Sequence, residues 1–236
     1  DSPFRKLNKE YNSGLSFTEM VSALGVIENE FRTLRYLAFS KDEKPVGIQF
    51  LGNKPEYLYK AVKEVVQFKP DVIDLNCGCP VQKVCKWNMG AALLDQPSLI
   101  GNLVKKMVQA AEEVPVSVKM RLGKDKSRVT ILENAKAAED NGASFITVHA
   151  KVKNEKAENK PVIDWLRKVK ETITIPVVAN GFMFTAEECI EVMQQTGCDN
   201  IMIARGAIGN PFIFSRVNAL LSEKDDPGEP SFDDIK

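Results

Sequence analysis

Seven short apolar runs recur along the 236-residue chain with helical stretches between them, and this alternation restricts the fold more than any other feature. The runs fall at residues 15–20, 46–51, 72–76, 116–120, 145–149, 177–179 and 201–204. Several are rich in Val and Ile on both faces, as parallel strands covered on each side must be. Helices are predicted over 56–67, 97–113, 129–141, 163–172 and 185–195. The last opens on Thr185 and Glu188, a capping-box spacing in which each side chain satisfies a free backbone N–H of the first turn. Asn141-Gly142 and Thr196-Gly197 have the character of helix stops.

Repeated β/α units predict a parallel α/β fold with right-handed crossovers. A (β/α)8 TIM barrel requires eight units. The count is short at the front, because Asp1-Ser2-Pro3 has the pattern of a capped helix start. The expectation is therefore a TIM barrel over residues 1–222 whose first strand lies ahead of residue 1. A doubly wound open sheet is the alternative, but no Gly-x-Gly-x-x-Gly turn follows an early strand. Residues 223–236 are acidic and broken by Pro227, Gly228 and Pro230, which predicts a linker toward an absent domain.

Hydrophobic residues make up 44% and charged residues 27%, ordinary for a globular chain. No apolar run approaches the ~20 residues of a membrane span, and no signal-peptide pattern stands at the front. Lys and Arg together equal Asp and Glu at 32 each, which argues against a generally basic nucleic-acid binder but leaves room for a local patch. Five cysteines are an odd number without a secretory context, so reduced thiols in a cytoplasmic protein are expected. Cys77, Cys79 and Cys85 match no common zinc spacing, and no metal is expected.

Barrel chemistry sits at the C-terminal ends of strands. Polar residues stand there at Gln49, Lys119, Arg121, His149, Asn180-Gly181 and Arg205-Gly206. Each has a bland reading as a hydrogen-bonded structural group, but six polar positions at five strand ends form a pattern. Asn180-Gly181 and Arg205-Gly206 follow the expected seventh and eighth strands, where barrels often bind phosphate. Cys79, between Gly78 and Pro80 at a strand exit, is the thiol expected to react, while Cys77, Cys189 and Cys198 are expected to pack in the interior. Lys83 and Lys86, then Lys124, Lys126 and Arg128, then Lys151, Lys153, Lys156 and Lys160 follow three successive strands. On a barrel they would share one face, either simply solvated or suited to a polyanion. Trp87 could stack on a base or pin its loop.

In order along the chain, residues 1–5, 18–23, 47–52, 76–94, 118–123, 147–150, 179–181 and 204–211 closely resemble the tRNA-dihydrouridine synthases. The resemblance implies a barrel that binds FMN, with NADPH as reductant and tRNA as partner. It implies hydride delivery to C6 of a uracil and protonation of C5 by Cys79; a free thiol, with a pKa near ~8.5, holds its proton at neutral pH. Gln49, Lys119 and His149 would contact the flavin, and Asn180, Gly181, Arg205 and Gly206 its phosphate end. Asn76, Lys86 and Arg121 would face the substrate. A helical tRNA-binding domain would follow the linker. The chain departs from the family pattern at Lys151-Val152, where Arg-Thr is usual, at Phe182, where an acid is usual, and at Ala204, where glycine is usual. A dihydroorotate dehydrogenase-like enzyme of free pyrimidines and a non-catalytic RNA-binding barrel are the rival readings.

Overall fold

A computed structural model describes residues 1–156, 162–181 and 183–231; Lys160, Phe182 and the last five residues of the expected linker lie outside them. The chain opens with α1 (Ser2–Glu10), where the Asp1 carboxylate accepts from the backbone N–H of Phe4 at 3.1 Å and Pro3 sits in the first turn. Two short strands follow, β1 (Ser16–Phe17) and β2 (Val21–Ser22), then the short helices α2 (Ala23–Ile27) and α3 (Phe31–Arg35). The alternation then becomes regular: β3 (Val46–Leu51), α4 (Pro55–Val66), β4 (Val72–Cys77), α5 (Gln82–Lys86), α6 (Pro97–Ala111) and β5 (Val116–Arg121). After a hairpin of β6 (Gly123–Asp125) and β7 (Arg128–Val129) come α7 (Ile131–Asp140), β8 (Phe145–His149), α8 (Asp164–Thr172), β9 (Val177–Asn180), α9 (Ala186–Thr196), β10 (Asn200–Met202) and α10 (Ile213–Leu221).

The main sheet is parallel throughout, in the order β1-β3-β4-β5-β8-β9-β10, with β2 also pairing with β3. Side chains alternate across each strand. One set, including Ile48, Phe50, Ile73, Leu75, Val118, Met120, Ile146 and Val148, is buried in the main hydrophobic core. The opposite set is polar: Gln49, Asp74 and Asn76, then Ser117 and Lys119, then Thr147 and His149, then Asn180. Register stacks these in rows, because Gln49 pairs with Asp74 and Asp74 with Ser117, while Asn76 pairs with Lys119 and Lys119 with Thr147. The sheet thus curls around a polar lining.

The curl does not close among the described residues. β1 pairs with β3 and β10 with β9, which leaves both as edges. Between them runs a cavity of about 820 Å³, lined by Ser16 and Phe17 on one side and by Asn200 and Met202 on the other, with Gln49, Lys119 and Thr147 at its wall. This opening falls at the ordinal place of the expected first strand, between the second and the eighth.

Of the predicted strand at 15–20 only Ser16–Phe17 forms, and a second short strand, Val21–Ser22, begins just past its predicted end. Thr18 Oγ1 accepts from the backbone N–H of Gln49 and donates to the carbonyl of Glu19, so the pairing breaks and resumes at Val21. The strand predicted at 201–204 is shorter, because the backbone at Ala204 turns into a 3-10 segment over Arg205–Ala207. Helices α2, α3 and α5 have five residues each, too few for an apolar period to emerge from sequence. Beyond α10, Arg216 gathers Asp226 and Glu229 from the acidic segment and Glu187 from α9.

Candidate active site

The turn after β4 is held from three directions. Asn76, the last polar lining residue of β4, accepts through Oδ1 from the backbone N–H of Gly78 at 3.0 Å and of Cys79 at 2.8 Å. Arg121, from the end of β5, donates through Nε to the Gly78 carbonyl at 2.8 Å and through Nη1 to the Val152 carbonyl at 3.1 Å. The Cys79 carbonyl in turn accepts from the N–H of Ala91 at 2.9 Å. Cys79 is left 8% exposed. Gly90 is required here: its φ is +60°, and a Cβ would lie 2.7 Å from the Cys79 carbonyl oxygen.

Below this turn the lining forms a hydrogen-bonded chain. Asp74 accepts from Ser117 Oγ at 2.6 Å and from Gln49 Nε2 at 2.7 Å, and Gln49 Oε1 accepts from Asn76 Nδ2 at 2.9 Å. Burial pushes the Asp74 carboxyl up to about 6, against the Ser117 and Gln49 hydrogen bonds and the Lys119 charge. Lys119 Nζ donates to Asn180 Oδ1 at 2.8 Å, and Asn180 Nδ2 donates to the Met202 carbonyl at 2.8 Å. Burial lowers the Lys119 ammonium to about 8; Asp74 opposes the shift and Arg121 adds to it.

His149 closes the lining at the mouth. Burial, then the charges of Lys119, Arg121, Lys151 and Arg205, push its imidazole down to about 3, so it is neutral at physiological pH. Four cations bearing on one neutral ring make this end electropositive. His149, Asn180, Gly181, Arg205 and Gly206 line a small cavity here. Gly181 has φ +127°, and a Cβ on Gly206 would meet the Met183 carbonyl at 2.2 Å, so both loops need glycine to approach each other. The Arg205 guanidinium lies over the Phe184 ring at 5.5 Å. Thr147 Oγ1 is buried on the lining without a hydrogen-bond partner among the described residues, and Thr147 faces the large cavity. An anionic ligand carrying polar atoms fits such a lining, which offers positive charge and an unmet polar group.

The structure therefore brings Gln49, Asn76, Lys119 and Asn180 into the lining, with Asn76 fastening the Cys79 turn. It places His149, Gly181, Arg205 and Gly206 around the adjoining small cavity. Arg121, expected to face substrate, spends Nε and Nη1 on backbone carbonyls. Lys86 stands apart, exposed at the end of α5 beside Trp87, which is 68% exposed and whose carbonyl accepts from Asn53. Lys83, Lys124, Lys126, Arg128 and Lys156 are exposed as expected. Lys151 is not: it is 1% exposed, with Nζ donating to the Lys156 carbonyl at 3.4 Å, so it leaves the expected basic face. Cys77, Cys189 and Cys198 are buried, and burial raises the pKa of each.

Asp74, Ser117, Thr147 and Gly90 were missed. A carboxylate inside an apolar strand, two residues before Asn76, was the available signal for Asp74. Among the described residues no group of three His, Cys, Asp or Glu is placed to hold a metal ion, and no helix is long and apolar enough to cross a membrane.

Residues 1–234 match the family profile described as Dihydrouridine synthase (Dus). The chain is 36% identical over 219 residues to the probable tRNA-dihydrouridine synthase 1 of Synechocystis, covering 92% of this chain and 61% of that protein. It is 34% identical over 234 residues to tRNA-dihydrouridine synthase B of Pasteurella multocida, covering 99% and 70% respectively. The chain thus spans only about two thirds of these relatives. Two solved structures share the fold: an old yellow enzyme homologue from Zymomonas mobilis, at TM-score 0.61 and 10% identity, covers 98% of this chain and 85% of its own. The 6-hydroxypseudooxynicotine amine oxidase of Pseudomonas geniculata, at TM-score 0.68 and 14% identity, covers 93% of this chain and 44% of its own.

Proposed function

The chain belongs to the dihydrouridine synthase family, and on that premise we propose that it is the barrel of an enzyme that reduces uridine in tRNA to 5,6-dihydrouridine. The observation that carries this reading is the placement of Cys79, which three separate contacts hold at the C-terminal end of β4 beside an electropositive polar interior. Cys79 donates the proton to C5 of the uracil ring. FMN bound in the interior, reduced by NADPH, would supply the hydride to C6. One hydride and one proton convert the C5–C6 double bond into a single bond, and NADPH leaves as NADP⁺.

Gln49, Lys119 and His149 would contact the flavin, and Asn180, Gly181, Arg205 and Gly206 would hold its phosphate end. Neutral His149 remains a hydrogen-bond partner across the physiological pH range, while the Lys119 ammonium favours a negative ligand. Asn76 serves the substrate by holding the Cys79 turn, Lys86 meets it from the exposed end of α5, and Arg121 acts through the Gly78 carbonyl as well as toward the uracil. Exposed Lys83, Lys86 and Trp87 meet the RNA. Residues 1–222 act as the catalytic barrel and 223–236 as a linker, in a cytoplasmic protein.

The test uses the protein with FMN, NADPH and unmodified tRNA. Mass spectrometry of the digested tRNA is expected to find uridine that has gained two hydrogens, with Cys79→Ala lowering the yield by about 10²–10⁴-fold. Flavin that NADPH reduces, with no gain in tRNA and turnover of a free pyrimidine instead, would overturn the assignment.

A further inference from the structure

The lining contains a carboxylate to which the proposed reaction gives no task. We propose that Asp74 is a positioning residue. It sets the donor and acceptor order of the amide chain Gln49–Asn76, and through that chain it fixes the backbone of Cys79. The functional part of this inference rests on Cys79 as the proton donor; the positioning part does not.

The argument is one of polarity. A side-chain amide has one donating and one accepting end, whereas an ionised carboxylate only accepts. Asp74, 1% exposed, takes Ser117 Oγ on Oδ1 and Gln49 Nε2 on Oδ2. With its nitrogen committed to Asp74, Gln49 can present only its oxygen to Asn76, and it receives Asn76 Nδ2 at 2.9 Å. Asn76 must then turn its oxygen outward, where it receives the N–H groups of Gly78 and Cys79. Reversing either amide would set N–H against N–H in a buried site, at the cost of an unmade hydrogen bond. The relay therefore runs between two fixed ends, the Asp74 carboxylate that can only accept and the Gly78 and Cys79 N–H groups that can only donate, and it ties the Cys79 backbone to a residue five positions earlier in the chain.

The experiment measures alkylation of Cys79 by iodoacetamide, quantified on its peptide by mass spectrometry, with Cys189 and Cys198 as reporters of an intact fold. Asp74→Ala is expected to raise the Cys79 rate by about tenfold, the factor that one lost hydrogen bond produces. Asp74→Asn keeps a carbonyl oxygen for Gln49 and can donate its amide to Ser117 Oγ, so it should stay within about twofold of wild type. Ser117→Ala removes an equally buried hydrogen bond outside the relay and should also stay within about twofold while lowering Tm. Wild-type alkylation in Asp74→Ala, or an equal rise in Ser117→Ala, would overturn the proposal. If Asp74→Ala does not fold, Gln49→Met cuts the next link and must show the same rise; a wild-type rate there overturns the proposal too.

Dihydrouridine formation by the same proteins separates the two readings. A rise in alkylation with no dihydrouridine from wild type leaves the positioning role and removes the donor role. Active wild type with unchanged alkylation in the variants does the reverse.

Discussion

Arg121 Nε donates to the carbonyl of Gly78 at 2.8 Å, so the end of β5 grips the residue immediately ahead of Cys79. The same guanidinium reaches the Val152 carbonyl beyond β8, joining the loops of three strands. A lysine ammonium lacks the planar fork that serves two fixed acceptors at once. Arg121→Lys is expected to lower kcat for uridine reduction by about tenfold and to speed Cys79 alkylation. A rise in KM alone, with Cys79 unchanged, would show that Arg121 touches only the substrate.

Gly90 stands against the same turn. Alanine there would meet the Cys79 carbonyl at 2.7 Å in a left-handed backbone, combining a clash with conformational strain. Gly90→Ala should cost about 1–3 kcal/mol and lower the urea midpoint without changing the m-value. Gly14→Ala, where a Cβ meets nothing within 4 Å, is the control, and equal losses in the two would refute the assignment.

The buried Lys119 predicts opposite pH dependences for stability and for binding. Its pKa falls from 10.5 to about 8 on folding, so the unfolded chain holds more protons between those values. Stability from this group therefore rises with pH across that window. If FMN is the ligand, as proposed, its affinity runs the other way, because the ammonium that attracts an anion disappears as pH climbs through about 8. Lys119→Met should flatten both profiles, read by urea melts at pH 8 and 10 and by flavin-fluorescence titrations at pH 7 and 9. Parallel slopes in wild type and variant would assign the titration to another group.

Trp87 is exposed and its indole is not part of the core, so Trp87→Ala should leave Tm almost unchanged. If a base stacks on it, affinity for tRNA falls by about 5- to 150-fold, the equivalent of 1–3 kcal/mol per stacked base. Unchanged affinity in a filter-binding assay would remove Trp87 from RNA binding; the Asn53 hydrogen bond that pins this loop is to the residue 87 backbone carbonyl and is kept in the variant.

The regular β/α units were legible because helix and strand periods are local. Strands 46–51 and 145–149 appear at their predicted bounds, and β4, β5 and β9 run one residue longer. The first strand was not legible as two, because Thr18 interrupts it through a bond to Gln49, 31 residues away. Gln49, Lys119, His149 and Asn180 stood out as polar residues in apolar runs. Asp74 met the same criterion but sits before the strand end, where attention to the barrel mouth does not reach. Lys151 was misplaced because a lysine after a strand reads as solvated, and nothing local shows that Ala150 and Val152 are buried around it.

By itself the amino-acid sequence determined the succession of strands and helices along the chain, the polar residues at the strand ends, and the Gly-Cys-Pro turn that displays Cys79, since all of these follow from spacing along a few neighbouring residues. That a whole face of the strands is polar, where both faces were expected to be apolar, emerged only with the register of the sheet. Tertiary structure alone decided who meets whom: Asp74 with Gln49 and Ser117, Arg121 with Gly78, Lys119 with Asn180, and the opening between β1 and β10. Those partners lie 25 to 61 residues apart, and the register between parallel strands, set by packing of the helices over them, brings one polar atom within hydrogen-bond reach of another.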